Sequence, residues 1–216
     1  MKEVWKNKSF VFLTIAFSNL VGLYFAMGSF LSNFFNPFGQ SPLEVAIIGL
    51  NTMGSGVLGS VISGIILDKT AAYKRLIQTL ILIATVSLGI ASYTLFTFSS
   101  NVLLHIMLFC LGFSMVAVIP SGLGLGVELT FPMQPALVNG IMLIITNING
   151  TIQGLIYSGI MDFNPLNYDT SEEVLAERQR RAKMSVYPMM FFLISSIILM
   201  FFVKEDLKRV HYTLSQ

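Results

Sequence analysis

Hydrophobic positions are concentrated in six long runs of the sequence, and short polar segments separate the runs. An α-helix rises about 1.5 Å per residue, so roughly 20 apolar residues cross the hydrocarbon core of a bilayer. The pattern therefore predicts an all-α, polytopic membrane protein with six transmembrane helices. The predicted spans are about 10–35, 45–67, 76–98, 102–123, 138–160 and 187–203. The other segments are an N-terminal stub (1–9), a charged segment outside the membrane (162–183) and a tail (204–216).

The composition strengthens this prediction. Hydrophobic residues make up 54% of the 216 residues and charged residues only 11%, whereas about a quarter of an average soluble domain is charged. Soluble enzymes and nucleic-acid-binding proteins are therefore excluded. The chain has one cysteine, Cys110, and lacks a cluster of metal-ligand residues, so we expect no intrachain disulfide, no metal site and no cofactor. A nucleophile paired with a base is not visible either, which argues against an enzyme.

Basic residues are concentrated on one side of the predicted membrane. The stub, the 68–75 connection and the tail are basic, whereas the 36–44 and 99–101 connections contain no Lys or Arg. By the positive-inside rule, both termini should face the cytosol, or the matrix if the membrane is mitochondrial. The 162–183 segment is an exception, but its basic residues are balanced by acidic ones, and its part from 171 to 184 is predicted to be a solvated surface helix.

Glycine-rich spans occupy equivalent places in the two halves of the hydropathy pattern, as the second and the fifth span. This correspondence predicts a 3+3 inverted repeat. Small residues at helical spacing also form two adjacent ridges on the second span, and such ridges allow two helix backbones to approach closely in a membrane. The first ridge is Ser55, Gly59 and Ser63, and the second is Gly56, Ser60 and Gly64. We expect Gly56, Ser60 and Gly64 to serve in helix packing, either fixed or sliding.

The end of the second span carries the sequence GIILDK (64–69), followed by Lys74 and Arg75. A carboxylate at the C-terminal end of a helix opposes the helix dipole, so Asp68 needs a partner elsewhere. This pattern resembles the loop motif of the major facilitator superfamily. The resemblance implies a conformational latch formed by Asp68, Lys69, Lys74 and Arg75, with the start of span five as its partner. The alternative is a charged loop that only sets the topology.

Further stretches resemble the C-terminal half of the feline leukaemia virus subgroup C receptor family. They are NKSFV (7–11), GLYFA (22–26), SGIILDKT (63–70), VELTFP (127–132) and KEDLKR (204–209), in the order of that family. The resemblance implies half of a twelve-helix facilitator-type transporter for choline, ethanolamine or haem. It also implies that Phe25 and Asn147 line a substrate cavity, at positions where similar transporters carry a tyrosine and a glutamine. An aromatic face that attracts a quaternary ammonium group is retained.

Polar residues inside the membrane are densest in span five, which contains Asn147, Asn149 and Gln153. Amides in lipid are costly unless they face the bundle or a wet cavity, so these side chains either bind a solute or join helices. No Asp, Glu, Lys or Arg lies at the predicted middle of the membrane, which disfavours an ion-coupled antiporter.

The connection after span four is predicted to be fixed by Glu128 and Pro132. Glu128 should lie near the membrane surface, where its carboxylate is hydrated or pairs with a basic side chain of the 68–75 connection. Similar sequences carry a second carboxylate four positions earlier, where this chain has Gly124. A role that needs two acidic groups is therefore not expected.

Two functions are consistent with these features. The first is half of a facilitator-type transporter that moves a small organic solute, such as a choline-like cation, with a second half. The second is a non-catalytic structural or accessory subunit of a larger membrane complex, for example in the mitochondrial inner membrane. Because a facilitator site lies between two six-helix halves, we expect a piece of a longer product, a homodimer, a separate second half or a larger assembly. Lipid is an expected partner and nucleic acid is not.

Overall fold

The computed structural model describes residues 6–97, 100–162 and 171–205, and this part of the chain forms six long helices. Each helix is long and apolar enough to cross a membrane, as predicted. The helices are α1 (Lys8–Phe35), α2 (Pro42–Thr70), α3 (Tyr73–Thr97), α4 (Asn101–Thr130), α5 (Pro135–Met161) and α6 (Ser171–Phe202). Most of the predicted stub, residues 163–170 of the charged segment and the tail from residue 206 lie outside the described residues.

Local sequence signals set the ends of the first two helices. The side chain of Asn7 accepts backbone hydrogen bonds at the start of α1, and Ser41 and Glu44 form a capping box at the start of α2. Between these helices, a short 3-10 helix (Asn36–Phe38) ends at Gly39, whose φ of +82° is a conformation that glycine adopts without a steric penalty. The result is a tight turn between two antiparallel membrane spans.

The helices pack in a pattern that repeats between the two halves of the chain. α1 and α4 are in contact at the centre. α5 and α6 pack on α1. In the same way, α2 and α3 pack on α4. Exchanging α1, α2 and α3 with α4, α5 and α6 reproduces these five helix pairings. This is the arrangement that an inverted 3+3 repeat requires, so the predicted fold class is confirmed.

Glycines bring the helices into backbone contact in both equivalent pairs. Between α1 and α5, a Cβ atom added to Gly22 would lie 3.0 Å from the backbone nitrogen of Gly150. Between α4 and α2, a Cβ atom on Gly112 would clash with the carbonyl oxygen of Thr52, and one on Gly59 with that of Phe113. Close approach of backbones is the main source of helix association in lipid, so these glycines define the interhelical distances.

Only part of the small-residue surface of α2 is used for this packing. Gly56 faces α4, where an added Cβ would lie 2.5 Å from Cγ2 of Val116, and Ser63 donates a 2.8 Å hydrogen bond to a carbonyl of α4. Gly64, in contrast, has no atom within 4 Å of its Cβ position, and the Ser60 hydroxyl donates to its own helix. Every four residues turn the helix by about 40° beyond a full rotation. The ridge of Gly56, Ser60 and Gly64 therefore rotates away from α4.

α6 is one continuous helix of 32 residues. The sequence pattern predicts a surface helix over 171–184 and a separate last span over 187–203. The helix instead runs from the charged segment through Pro188 into the membrane-spanning segment. Pro188 lacks a backbone N–H and therefore removes one hydrogen bond from the helix. α6, which packs against both α1 and α3, remains one helix across this position.

The charged end of α6 is held by its own ion pairs and by the neighbouring connections. The Glu177 carboxylate lies 2.7 Å from the guanidinium groups of both Arg180 and Arg181. Hydrogen bonds from Arg180 and Arg181 lower the pKa of Glu177 to about 2. The Gln179 side chain donates to the carbonyl oxygen of Pro37 in the connection between α1 and α2. This end of α6 is therefore an ordered surface cap.

Candidate functional site

A groove between α1 and α5 contains both residues that the family resemblance assigned to a substrate cavity. Phe25 of α1 and Asn147 of α5 line the same concave surface, which has a volume of about 460 Å³ and opens to one side of the bundle. Other lining residues are Ser29, Phe30, Gly150, Thr151, Gly154 and Ser158. Two of these residues, Gly150 and Gly154, are glycines of α5 and have no side chains. The backbone of α5 is therefore accessible at the bottom of the groove.

The exposed groups in this groove are an aromatic ring and an amide. The Phe25 side chain is 51% exposed, and its ring contacts that of Tyr24 at a centroid distance of 5.8 Å. The Asn147 amide nitrogen donates to the carbonyl of Leu143 in its own helix, so the amide oxygen is available as an acceptor. The hydroxyls of Ser29 and Thr151 also donate to carbonyls of their own helices. A π face beside a neutral oxygen suits an organic cation.

A network of buried amides lies behind the groove and connects three helices. The Asn149 amide donates to the Asn19 side-chain oxygen at 2.7 Å and to the Ser18 hydroxyl at 3.0 Å. Asn19 in turn donates to Ser195 of α6, and Gln153 donates to the backbone carbonyl of Asn19. Of the two roles that the sequence left open for Asn149 and Gln153, these contacts correspond to joining helices. Asn147 differs because it faces the groove.

The latch candidates lie at the end of the bundle where the described chain begins and ends, which we call the terminal face. Asp68 and Lys69 are exposed in the last turn of α2, and within the described residues neither makes a hydrogen bond or an ion pair. Arg75 is also exposed, at the start of α3. Within the described residues, no hydrogen bond or ion pair joins Asp68 to the start of α5, and α2 packs mainly along α4.

Lys74 has a different role from the expected latch. Its ammonium group donates to the carbonyl oxygens of Val203 and Phe201 at the end of α6, at 2.5 and 3.4 Å. Its backbone N–H donates to the carboxylate of Glu205 at 3.1 Å. Lys74 thus joins α3 to α6, and this joint could not be inferred from the sequence because 131 positions separate the two partners.

The connection after α4 contains Pro132 and follows Glu128, the two residues that the sequence predicts to fix it. Pro132 follows Phe131 with a cis peptide bond. Glu128, however, is only 5% exposed and lies within the last turn of α4, so it is buried and not hydrated at the surface. The Asn7 amide donates to the Leu129 carbonyl at 2.8 Å and thereby attaches the end of α4 to the start of α1.

Gly124 is explained by an aromatic neighbour. A Cβ atom at this position would lie 2.7 Å from Cε1 of the Tyr73 ring. The Tyr73 ring therefore occupies the space into which a side chain at position 124 would project.

The sequence is similar to curated transporters, although no protein-family profile matches it. It is 30% identical to the choline/ethanolamine transporter FLVCR2 of Rattus norvegicus, over 72% of this chain and 28% of that protein. It is 29% identical to the choline/ethanolamine transporter flvcr2a of Danio rerio, over 94% of this chain and 40% of that protein. An uncharacterized MFS-type transporter of Caenorhabditis elegans, C09D4.1, is 26% identical over 97% of this chain. The chain spans two fifths or less of the length of these relatives.

A solved structure shows the same fold. A bacterial homologue of the human lysosomal transporter Spinster, in an inward-facing and unoccupied conformation, superposes with a TM-score of 0.71 at 13% identity. The superposition covers 97% of this chain and 51% of the transporter. The motifs, the inverted repeat and these similarities agree, and they show that the chain is an FLVCR-like membrane protein with the fold of half a major facilitator transporter.

Proposed function

We propose that this chain forms one half of a facilitator-type transporter and moves a small organic cation of the choline type together with a second six-helix half. The groove between α1 and α5 supplies one wall of the solute pathway. Phe25 contacts the cationic head through its π face, and Asn147 supplies a neutral acceptor. The named activity of FLVCR2 and flvcr2a, choline and ethanolamine transport, supports this solute class.

One observation carries the proposal: the groove presents an exposed ring of α1 and an exposed amide of α5 on the same surface. Of the six helices, α5 has the smallest buried share. Exposed amides are costly in hydrocarbon, so the Asn147 face is expected to lie against water, a solute or another protein surface and not against lipid. A pathway between two halves satisfies this requirement, because each half contributes one wall.

The terminal face is proposed to lie in the cytosol, or in the matrix of a mitochondrion. Lys6, Lys8, Lys69, Lys74 and Arg75 lie at this face, which follows the positive-inside rule. In this orientation, Asp68 at the exposed end of α2 is positioned to pair with the second half. If this pairing selects one conformation, Asp68→Asn should change how fast cysteines introduced into the groove are labelled from the cytosolic side. Unchanged labelling would contradict the latch hypothesis.

The test is choline binding to the chain extracted in mild detergent with its native partners and transferred to lipid nanodiscs. Cation–π contacts contribute about 0.5–2 kcal/mol, so Phe25→Ala should weaken binding about two- to thirty-fold. Asn147→Leu should also weaken it, and Asn147→Gln should restore it. Phe191→Ala is the matched control, because this phenylalanine of α6 is 66% exposed and lies outside the groove. Absence of choline binding, or equal losses in Phe25→Ala and Phe191→Ala, would contradict the proposal.

The same extraction identifies the partner by mass spectrometry. Co-migration with a second copy, or with another six-helix chain, supports a paired transporter. Stoichiometric co-migration with a large unrelated complex, without choline binding, would instead favour the accessory-subunit function.

A further inference from the structure

A second recess lies on the other side of α1, between α1, α2 and α4. It is a narrow cleft of about 60 Å³, and its lining includes Tyr24, Met27, Leu31, Met53 and Met115. α1 and α2 have few contacts with each other, which leaves this cleft between them. The proposed choline site does not use it.

The cleft and the groove lie on adjacent faces of α1. Tyr24 lines the cleft and Phe25 lines the groove, and their rings are in contact. Between the two recesses, the helix presents Gly28 and Ser29, both exposed. A Cβ atom at Gly28 would have no neighbour within 4 Å. At position 28, which also lines the cleft, the surface of α1 is therefore open on the side that faces the groove residue Ser29.

We infer that the site accepts an amphipathic ammonium compound, with a quaternary ammonium head and an apolar chain of a few carbon atoms. This inference rests on the proposed function for the head group. The head lies over Phe25 beside Asn147, the chain crosses α1 at Gly28, and its end enters the cleft among Met27, Met53 and Met115. The ligand class is thus broader than choline and includes its alkyl-substituted analogues.

The chemistry of the cleft favours an alkyl chain over water. An apolar cavity offers water too few hydrogen-bond partners and accepts apolar molecules instead. Three of its side chains are methionines, which are unbranched and adapt to differently shaped apolar partners. The ring contact of Tyr24 with Phe25 gives a continuous apolar surface from the head-group position into the cleft.

The test compares choline with butyl-, hexyl- and octyltrimethylammonium, measured by calorimetry on the extracted chain in nanodiscs, with empty nanodiscs subtracted. Each methylene that enters the cleft should tighten binding about four-fold. Because the cleft is small, this gain should stop after a few carbon atoms. A gain that continues evenly to octyl, as in empty nanodiscs, is partition into lipid and would overturn the inference.

Two variants of matched size locate the chain. Gly28→Leu places a side chain on the crossing point and should remove the dependence of affinity on chain length while choline still binds. Gly64→Leu is the control, because its Cβ position is equally open but lies outside both recesses. Equal chain-length dependence in Gly28→Leu and Gly64→Leu would show that the alkyl chain does not cross α1.

A cross-linking measurement provides a second, independent readout. An alkyltrimethylammonium analogue of the chain length at which the gain stops, with a terminal diazirine, should label Met27, Met53 or Met115, and labelling confined to the outer surface of α6 would contradict the assignment. The two proposals fail separately. If no ammonium compound binds in a way that depends on Phe25, the proposed function fails; if choline binds but longer chains gain nothing, only this inference fails.

Discussion

Lys74 and Glu205 cap the ends of each other's helices. The ammonium group of Lys74 binds the last carbonyl oxygens of α6, and the carboxylate of Glu205, which follows α6, binds the first turn of α3. Both ends would otherwise leave backbone groups without partners. Each charge also has the favourable sign for the helix dipole that it meets. The two residues therefore close the last helix of one repeat against the last helix of the other.

From this reciprocal capping we predict that Lys74→Ala and Glu205→Gln each lower stability by about 0.3–1 kcal/mol, the usual size of exposed charge–dipole contacts. The double variant should lose less than the sum, because both changes act on the same joint. Thermal unfolding of the chain in nanodiscs measures this. Lys69→Ala is the control, because Lys69 lies on the same face and its side chain has no hydrogen bond within the described residues. Strictly additive losses in the double variant would argue against coupling.

The glycine contacts predict opposite effects for one substitution at two positions of α2. Gly59→Ala should destabilise the chain by about 1–3 kcal/mol, since its Cβ would clash with the Phe113 carbonyl and force α2 away from α4. Gly64→Ala should be neutral or stabilising by up to about 1 kcal/mol, because the position is open and alanine favours helices. Unfolding in a detergent series compares the two variants, and equal effects would contradict the packing described above.

The amide network behind the groove predicts coupling between α1 and α5. Asn149→Leu should cost about 1–3 kcal/mol, because it leaves the side-chain oxygen of Asn19 without its amide donor in a buried region. The Asn19→Leu, Asn149→Leu pair should lose less than the sum of the single variants. Thr85→Val serves as the control, since the Thr85 hydroxyl bonds only within α3 in the described structure. Choline affinity should change less than in Phe25→Ala, because Asn149 does not line the groove.

The lowered pKa of Glu177 predicts acid sensitivity at the charged end of α6. Its pKa falls from 4.5 to about 2 on folding, so the ionised form is favoured in the folded chain. The resulting stabilisation is fully present above about pH 4.5 and is lost as the pH falls through about 2. Glu177→Gln should lower the melting temperature at pH 7, and its difference from wild type should shrink toward pH 2. Glu172→Gln, at an exposed position of the same helix, should show no such convergence.

Much of the fold could be predicted from the sequence because hydrocarbon imposes a simple rule on helix length. The six spans follow from apolar runs, and the inverted repeat follows from the matching glycine-rich helices. Gly56 could be placed in a contact from spacing alone. Gly64 could not, because which part of a ridge faces a neighbour depends on helix rotation, which the spacing does not give.

The groove could be predicted from the sequence only through the family resemblance. Phe25 and Asn147 are 122 positions apart, and no local signal connects them. The contacts of Lys74 and the burial of Glu128 could not be predicted from the resemblance. The fold buries Glu128 and places the ammonium group of Lys74 at the end of α6, and neither position follows from charge or sequence spacing.

Because α6 is one continuous helix, its membrane-spanning part and its charged end belong to the same element. A helix of 32 residues is about 48 Å long, whereas the hydrocarbon core is about 30 Å thick. The excess extends beyond the membrane on the face opposite the termini, where Gln179 contacts the connection between α1 and α2. We expect a tilt of this span to move the protruding end, together with the hydrogen bond from Gln179 to the hairpin that leads from the Phe25 helix into α2. A fluorescent label at the exposed position 172, which leaves the Glu177 ion pairs intact, is therefore expected to report such a tilt from outside the membrane.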